Sequence, residues 1–176
     1  LMAAFTVIDH TELGAAASSW TASGISSSYD HLLILASVRS DRAAVYDSVK
    51  IGFNANTASG DYSHTYLRAS TSTPTSGRDT AQAPTFIGDI AGASNLADTF
   101  ANVKIWVPNY ANTANFTAAI TQVAHEDAST TNNEWGLEID AVLFQSTAAI
   151  TEVSLHTNVG DFVQYSTFTL YGILGA

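Results

Sequence analysis

A chain of 176 residues and 18.5 kDa is the usual size of one domain, long enough to bury a hydrophobic core without staples. Its formal net charge of -10, from 16 acidic and 6 basic residues, sets it against nucleic acid and anionic membranes at long range. The absence of cysteine excludes disulfides, zinc-thiolate sites and a thiol nucleophile.

Charged residues make up 12% of the chain, about half the usual share, and period-2 alternation recurs in place of helical patterning. A first strand is predicted over residues 5–8, and 12–19 reads as one short helical turn. Leu32, Ile34, Ala36 and Val38 share one face of the next strand, with Leu33, Leu35 and Ser37 on the other. Apolar groups on both faces place it centrally in a sheet or beneath a neighbouring subunit. Val49, Ile51 and Phe53 then alternate with Lys50 and Gly52, and Tyr62, His64, Tyr66 and Arg68 with Ser63, Thr65, Leu67 and Ala69. The polar run STSTPTSGRDTAQA, residues 70–83, reads as a loop that is mobile or ordered by a partner. Residues 92–100 read as a second helical turn or a loop.

Val103, Ile105 and Val107 alternate with Lys104 and Trp106 until Pro108 removes a ladder donor. Strands follow at 116–125 and at 137–144. In the second, Leu137, Ile139, Ala141 and Leu143 are expected to pack inward, with Glu138 and Asp140 on the solvent face. Val153 and Leu155 define another strand, and Phe168 and Leu170 the last, where Gly172 points to close approach of a neighbour or a bulge. Turns fall at 54–60, 128–133 and 158–161. Eight or nine strands without interleaved helices predict an all-β fold: two packed antiparallel sheets forming a single β-sandwich domain over 1–176. Jelly-roll connectivity is the expectation from strand number.

Candidate chemistry is sparse. The five histidines form no HExxH or other compact ligand set. The G-x-S-x-G elbow of a serine hydrolase is absent. Glu138 and Asp140 share a strand face about 6 to 7 Å apart, a spacing that resembles paired glycosidase carboxylates but fits a solvated strand face better. An enzyme would need converging carboxylates of raised pKa in a cleft. Trp20, Trp106 and Trp135 could stack on sugars, although Trp106 better suits core or subunit packing. Asn54, Asn56, Ser59 and Asp61 could supply oxygens to calcium, although asparagines capping their own turn explain the run more simply. No cofactor or metal is expected.

Four stretches resemble a family of structural proteins of tailed-bacteriophage virions. They are SYDHLLILASVRSDRA (28–43), VKIGFNANTASGDYSHTYL (49–67), FANVKIWVPNYAN (100–112) and AAITEVSLHTNVGDFVQYSTFTLYGI (148–173). The ending LYGI carries the likeness furthest. The segment TTNNEWGLEID departs from it, lacking the basic residue that related chains often carry there. The resemblance implies a non-enzymatic β-sandwich on the outer surface of the particle: a capsid decoration or cement protein. Its partners would be the major capsid protein and its own copies, with a homotrimer favoured, and neither nucleic acid nor membrane. Leu33, Leu35, Arg39, Arg42, Trp106 and Tyr171 are the expected interface residues. A tail- or fibre-associated module binding carbohydrate or a host receptor is the alternative.

Overall fold

The computed structural model describes residues 5–70, 73–127 and 136–175. Among them the chain forms strands β1 (Phe5–Glu12), β2 (Ser19–Ser23), β3 (His31–Val38), β4 (Tyr46–Phe53), β5 (Tyr62–Ser70) and β6 (Thr73–Gln82). The second half forms β7 (Thr85–Ala91), β8 (Ala101–Pro108), β9 (Thr117–His125), β10 (Gly136–Phe144), β11 (Glu152–Thr157) and β12 (Thr167–Ile173). One sheet has eight strands in the order β1-β12-β3-β8-β9-β10-β5-β6, and the other has four in the order β2-β11-β4-β7. Every pairing is antiparallel. The two sheets pack face to face as a β-sandwich. Edge strand β7 of the small sheet lies across β9, β10 and β5 of the large one.

The core follows from alternation. Leu32, Ile34 and Val38 of β3, Val49, Ile51 and Phe53 of β4, and Ile105 and Val107 of β8 are fully buried between the sheets. β3 is central, flanked by β12 and β8. Two aromatic groups anchor the layer. Trp20 stacks on Phe168 with ring centres 5.2 Å apart, and its indole donates to Asp9 Oδ2 at 3.1 Å. Phe144 lies 4.8 Å from Tyr62 and 5.7 Å from Phe53. The Tyr62 hydroxyl accepts the Phe53 N–H at 2.9 Å, which satisfies a polar tip inside an apolar cluster. Gly172 lacks a side chain because the Tyr29 ring lies where one would go, so the expected close approach is made within the chain.

Several expectations are corrected. Residues 12–19 and 92–100 contain no helix. Of the polar run at 70–83, residues 73–82 are not a loop but edge strand β6, paired with β5. An edge strand that buries almost nothing needs no apolar alternation, and its Thr, Pro and Arg side chains suit an exposed rim. β2 and β7 are additional strands that the alternation did not mark. The largest correction is β10. Leu137 and Ile139 are 51% and 41% exposed, whereas Glu138 and Asp140 are 6% and 1% exposed. The strand presents the opposite face to the core because Val142 and Phe144 belong there, and with period 2 a single choice of parity turns every side chain. The turn at 128–133 and Trp135 lie outside the described residues.

Phe144→Ala is expected to lower unfolding stability by about 3–5 kcal/mol, through lost burial and an unfilled cavity against Tyr62 and Phe53. Tyr62→Phe, which keeps the ring but strands the Phe53 amide, should cost about 1–3 kcal/mol. Urea denaturation of both variants checks this; equal small losses would place neither ring in the core.

Candidate functional site: an apolar sheet face above a buried acidic pair

The outer face of the large sheet carries apolar side chains in register. Val7, Tyr171, Leu33, Trp106 and Ile120 lie side by side across β1, β12, β3, β8 and β9. The next row runs Thr169, Leu35, Lys104, Gln122, Ile139 and Leu67 across β12, β3, β8, β9, β10 and β5. Phe5 closes one end with an edge contact to Tyr171 at 6.4 Å, and His31 leans on Trp106 at 4.9 Å. Of the twelve large apolar side chains exposed among the described residues, seven sit on this face: Phe5, Val7, Leu35, Leu67, Ile120, Leu137 and Ile139. Exposure of large apolar side chains is therefore concentrated on one face. A groove of about 570 Å³ runs across the face between Leu35 and Tyr171 on one side and Leu137 and Ile139 on the other. Among the described outward-facing strand positions the only acid is Glu12, at the β1 end, against Lys104 in the middle and Arg78 on edge strand β6. The chain's negative charge lies elsewhere.

Of the expected interface residues, Leu33, Leu35, Trp106 and Tyr171 come together on this face. Arg39 and Arg42 do not. Arg39 is 8% exposed, and its guanidinium donates to the carbonyls of Leu96 at 2.6 Å, Thr99 at 3.0 Å, Asn95 at 3.1 Å and Ala93 at 3.3 Å. It organises the 92–100 loop from inside and has no free donor geometry to offer a partner. Arg42 lies 3.8 Å from the buried Asp47 and over the Tyr46 ring at 5.5 Å. The arginine-aspartate-arginine turn is thus an internal brace: Asp41 accepts the Asp161 amide at 2.8 Å, and Asp47 accepts from Ser40 at 2.8 Å and Gly160 at 2.9 Å.

Beneath β10 lies a polar pocket that the inward reading of Leu137 and Ile139 concealed. Glu138 and Asp140 point between the sheets, toward a cavity of about 180 Å³ lined also by Ser48, His64, Arg68 and Asp89. Arg68 donates to Asp89 Oδ2 at 2.9 Å and stands 4.0 Å from Glu138 Oε2. Ser48 donates to the other Asp89 oxygen at 2.6 Å, and Thr121 donates to Asp140 at 3.1 Å. His64 Nδ1 is 2.7 Å from the Thr85 hydroxyl, and its Nε2 is 3.9 Å from Asp140 and 3.7 Å from Asp79. Apart from a proton the pair shares, Glu138 Oε2, Asp140 Oδ1 and Arg68 Nε have no hydrogen-bond partner.

Burial pushes Glu138 up to about 8, aided by the charges of Asp140 and Asp89 and opposed by Arg68. Burial also pushes Asp140 up to about 7, against the bonds it accepts from Thr121 and Glu138. Both carboxyls are thus held toward their protonated forms. Burial lowers the His64 pKa, with Asp79 opposing, so the ring is neutral.

One further pair was not anticipated. Ser154 Oγ and His156 Nε2, two residues apart on β11, are 2.8 Å from each other. Among the described residues no carboxylate is paired with the His156 ring. Burial and then the Lys50 charge lower its pKa, which weakens it as a base. In the 54–61 turn Asn56 caps its own backbone, whereas Asn54 is turned to the 149–152 segment instead. Asn54 Oδ1 accepts the Thr151 amide at 2.8 Å, and Asn56 Oδ1 accepts that of Ala58 at 2.8 Å. Trp20 is buried and closed to sugars. Among the described residues no group of three His, Asp or Glu side chains is arranged to hold a metal ion. No family model matches the chain, and neither curated proteins nor solved structures provide a match.

The acidic pair makes stability depend on pH in an unusual direction. Both groups titrate higher in the folded chain than in the unfolded one, so the folded state holds more protons between those values. The stabilisation is complete below the ordinary carboxyl range and is lost as pH rises through about 7 and 8. Melting temperature is therefore expected to fall between about pH 5 and about pH 9, and the Glu138→Gln/Asp140→Asn variant should flatten that slope. A melting temperature that rises over the same interval would show that the pair is ionised in the folded protein.

Proposed function

We propose that the chain is a structural, non-enzymatic protein of a virion, a capsid decoration or cement protein that docks on the outside of a phage head and stabilises it. The observation that carries this reading is the apolar, acid-poor outer face of the eight-stranded sheet. Seven inter-strand spacings of about 4.8 Å and three rows of outward side chains span on the order of 700 Å². That is close to the roughly 800 Å² which each partner contributes to a standard interface. Burying apolar surface at about 25 cal/mol per Å² offsets the ordering costs of docking, and repetition over a particle multiplies modest contacts. The four ordered stretches that resemble tailed-phage structural proteins supply the particle; the sheet face supplies the means of attachment.

The partners of this reading are the major capsid protein and further copies of the chain, with a homotrimer the favoured assembly. A chain of net charge -10 on the exterior of a head stays clear of the packaged genome. Jelly-roll connectivity, the usual form of such a shell subunit, belongs to the same reading. One observation favours a second reading, in which a tail- or fibre-associated module binds carbohydrate. The groove sets Tyr171 beside Thr167, Thr169, Asn102 and Gln122, an aromatic ring next to hydroxyl and amide groups.

Purified protein mixed with purified undecorated heads is expected to co-sediment to saturation at symmetry-related sites and to raise their resistance to heat. Ile139→Asp, at an exposed position, should fold normally and weaken binding by about tenfold or more. Retention by host cells or tails, with no binding to heads, would move the chain to adsorption and overturn the decoration reading.

A further inference from the structure

Strand β10 presents two different chemistries on its two sides. Leu137 and Ile139 point out to the docking face; their neighbours Glu138 and Asp140 point into the interlayer cavity. Charged and titratable groups reach that cavity from every strand packed around it. β5 contributes Arg68, His64 and Tyr66, β6 contributes Asp79 at the exposed mouth, and β7 contributes Asp89. From β9, His125 Nδ1 lies 3.1 Å from the Asp89 carbonyl, and β4 offers only the uncharged Ser48.

With one proton on the pair, the three carboxyls carry two negative charges against the one positive charge of Arg68. Arg68 bridges Asp89 on β7 to Glu138 on β10, and the shared proton removes one of the remaining negative charges. Without that proton, Asp89, Glu138 and Asp140 face a single guanidinium, that of the partly exposed Arg68. Glu138 Oε2 and Asp140 Oδ1 already lack hydrogen-bond partners, so nothing nearby compensates the added charge. Between β7 and the neighbouring β9 the packing is close: a Cβ on Gly88 would sit 2.7 Å from Val123. Repulsion must therefore be relieved by moving β7 away from β10 or by admitting water.

We propose that Glu138 and Asp140 form a proton-operated latch between the two sheets, closed when they share a proton and open when it is lost, and that opening disturbs the docking face at Leu137 and Ile139. The part concerning docking rests on the reading of that face as an assembly surface; the latch itself does not.

Amide hydrogen exchange, corrected for the intrinsic pH dependence of the chemistry, tests the latch. Between about pH 5.5 and about pH 9, protection of β7 and β10 is expected to fall by about tenfold or more, while β3 and β12 change little. Glu138→Gln/Asp140→Asn should keep β7 and β10 protected at high pH. Either single amide variant serves if the double variant does not fold. Asp89→Asn removes a neighbouring negative charge and should move the transition to lower pH. Unchanged protection in the wild type, uniform loss over both sheets, or a transition that survives the double variant would each overturn the latch. Head binding at each pH is read separately. Binding that weakens at high pH only in the wild type supports the link to docking. Unaffected binding with an opening latch overturns that link alone. A working latch with no head binding at any pH overturns the docking reading and leaves the latch standing.

Discussion

The parity of β10 is the constraint on which the rest of the molecule depends. Phe144 and Val142 must enter the core because Tyr62 and Phe53 wait there to be covered. Once those two residues are inside, strand geometry gives Glu138 and Asp140 no alternative. The same choice turns Leu137 and Ile139 outward. A single aromatic contact at one end of the strand therefore creates both the buried acidic pocket and the apolar outer ridge.

The two consequences differ in what they demand of their surroundings. The apolar ridge demands only a cover, since exposed Leu and Ile side chains are compatible with a folded monomer. The acidic pocket demands compensation inside the protein, and the chain supplies it from several strands. Arg68, Ser48 and Thr121 each meet a carboxylate, and His64 is tied to Thr85. Ordering these groups across both sheets makes the β7–β10 seam specific in geometry while leaving it sensitive to a single proton. At the opposite end of the sandwich the layers meet through the stacking of Trp20 on Phe168.

Much of the fold was legible in the sequence because most strands bury one clearly apolar face. β3, β4, β8 and β12 are examples, and Pro108 ends β8 where a lost donor requires it. The misreadings have separate physical causes. β6 has no buried face, so it carries no alternation to read. β7 is interrupted at Gly88, where the backbone takes φ +132 and the register shifts against β4. β10 has aliphatic residues on one parity and a mixture of acids with Val142 and Phe144 on the other, so local pattern favours the wrong face. Only the long-range demand from Tyr62 and Phe53 decides it. That Leu33, Leu35, Trp106 and Tyr171 share one face was legible because apolar residues on both sides of a strand are visible in one dimension. The inward turn of Arg39 was not, because its carbonyl partners lie 54 to 60 residues away, in a loop with no signal of its own.

Raised carboxyl pKa values often mark catalysis, so the pocket must be weighed against that alternative. Glu138 lines the small cavity together with Arg68, Asp89 and His64, and Asp140 beside it accepts from Thr121 at 3.1 Å. That cavity has a volume of about 180 Å³, and its lining includes the exposed Asp79 of edge strand β6. The large groove of about 570 Å³ has the opposite character: room and apolar walls, but a floor of Ser37, Asn102, Lys104 and Gln122 without a nucleophile-base pair. The perturbed groups and the accessible volume thus sit on opposite sides of one sheet.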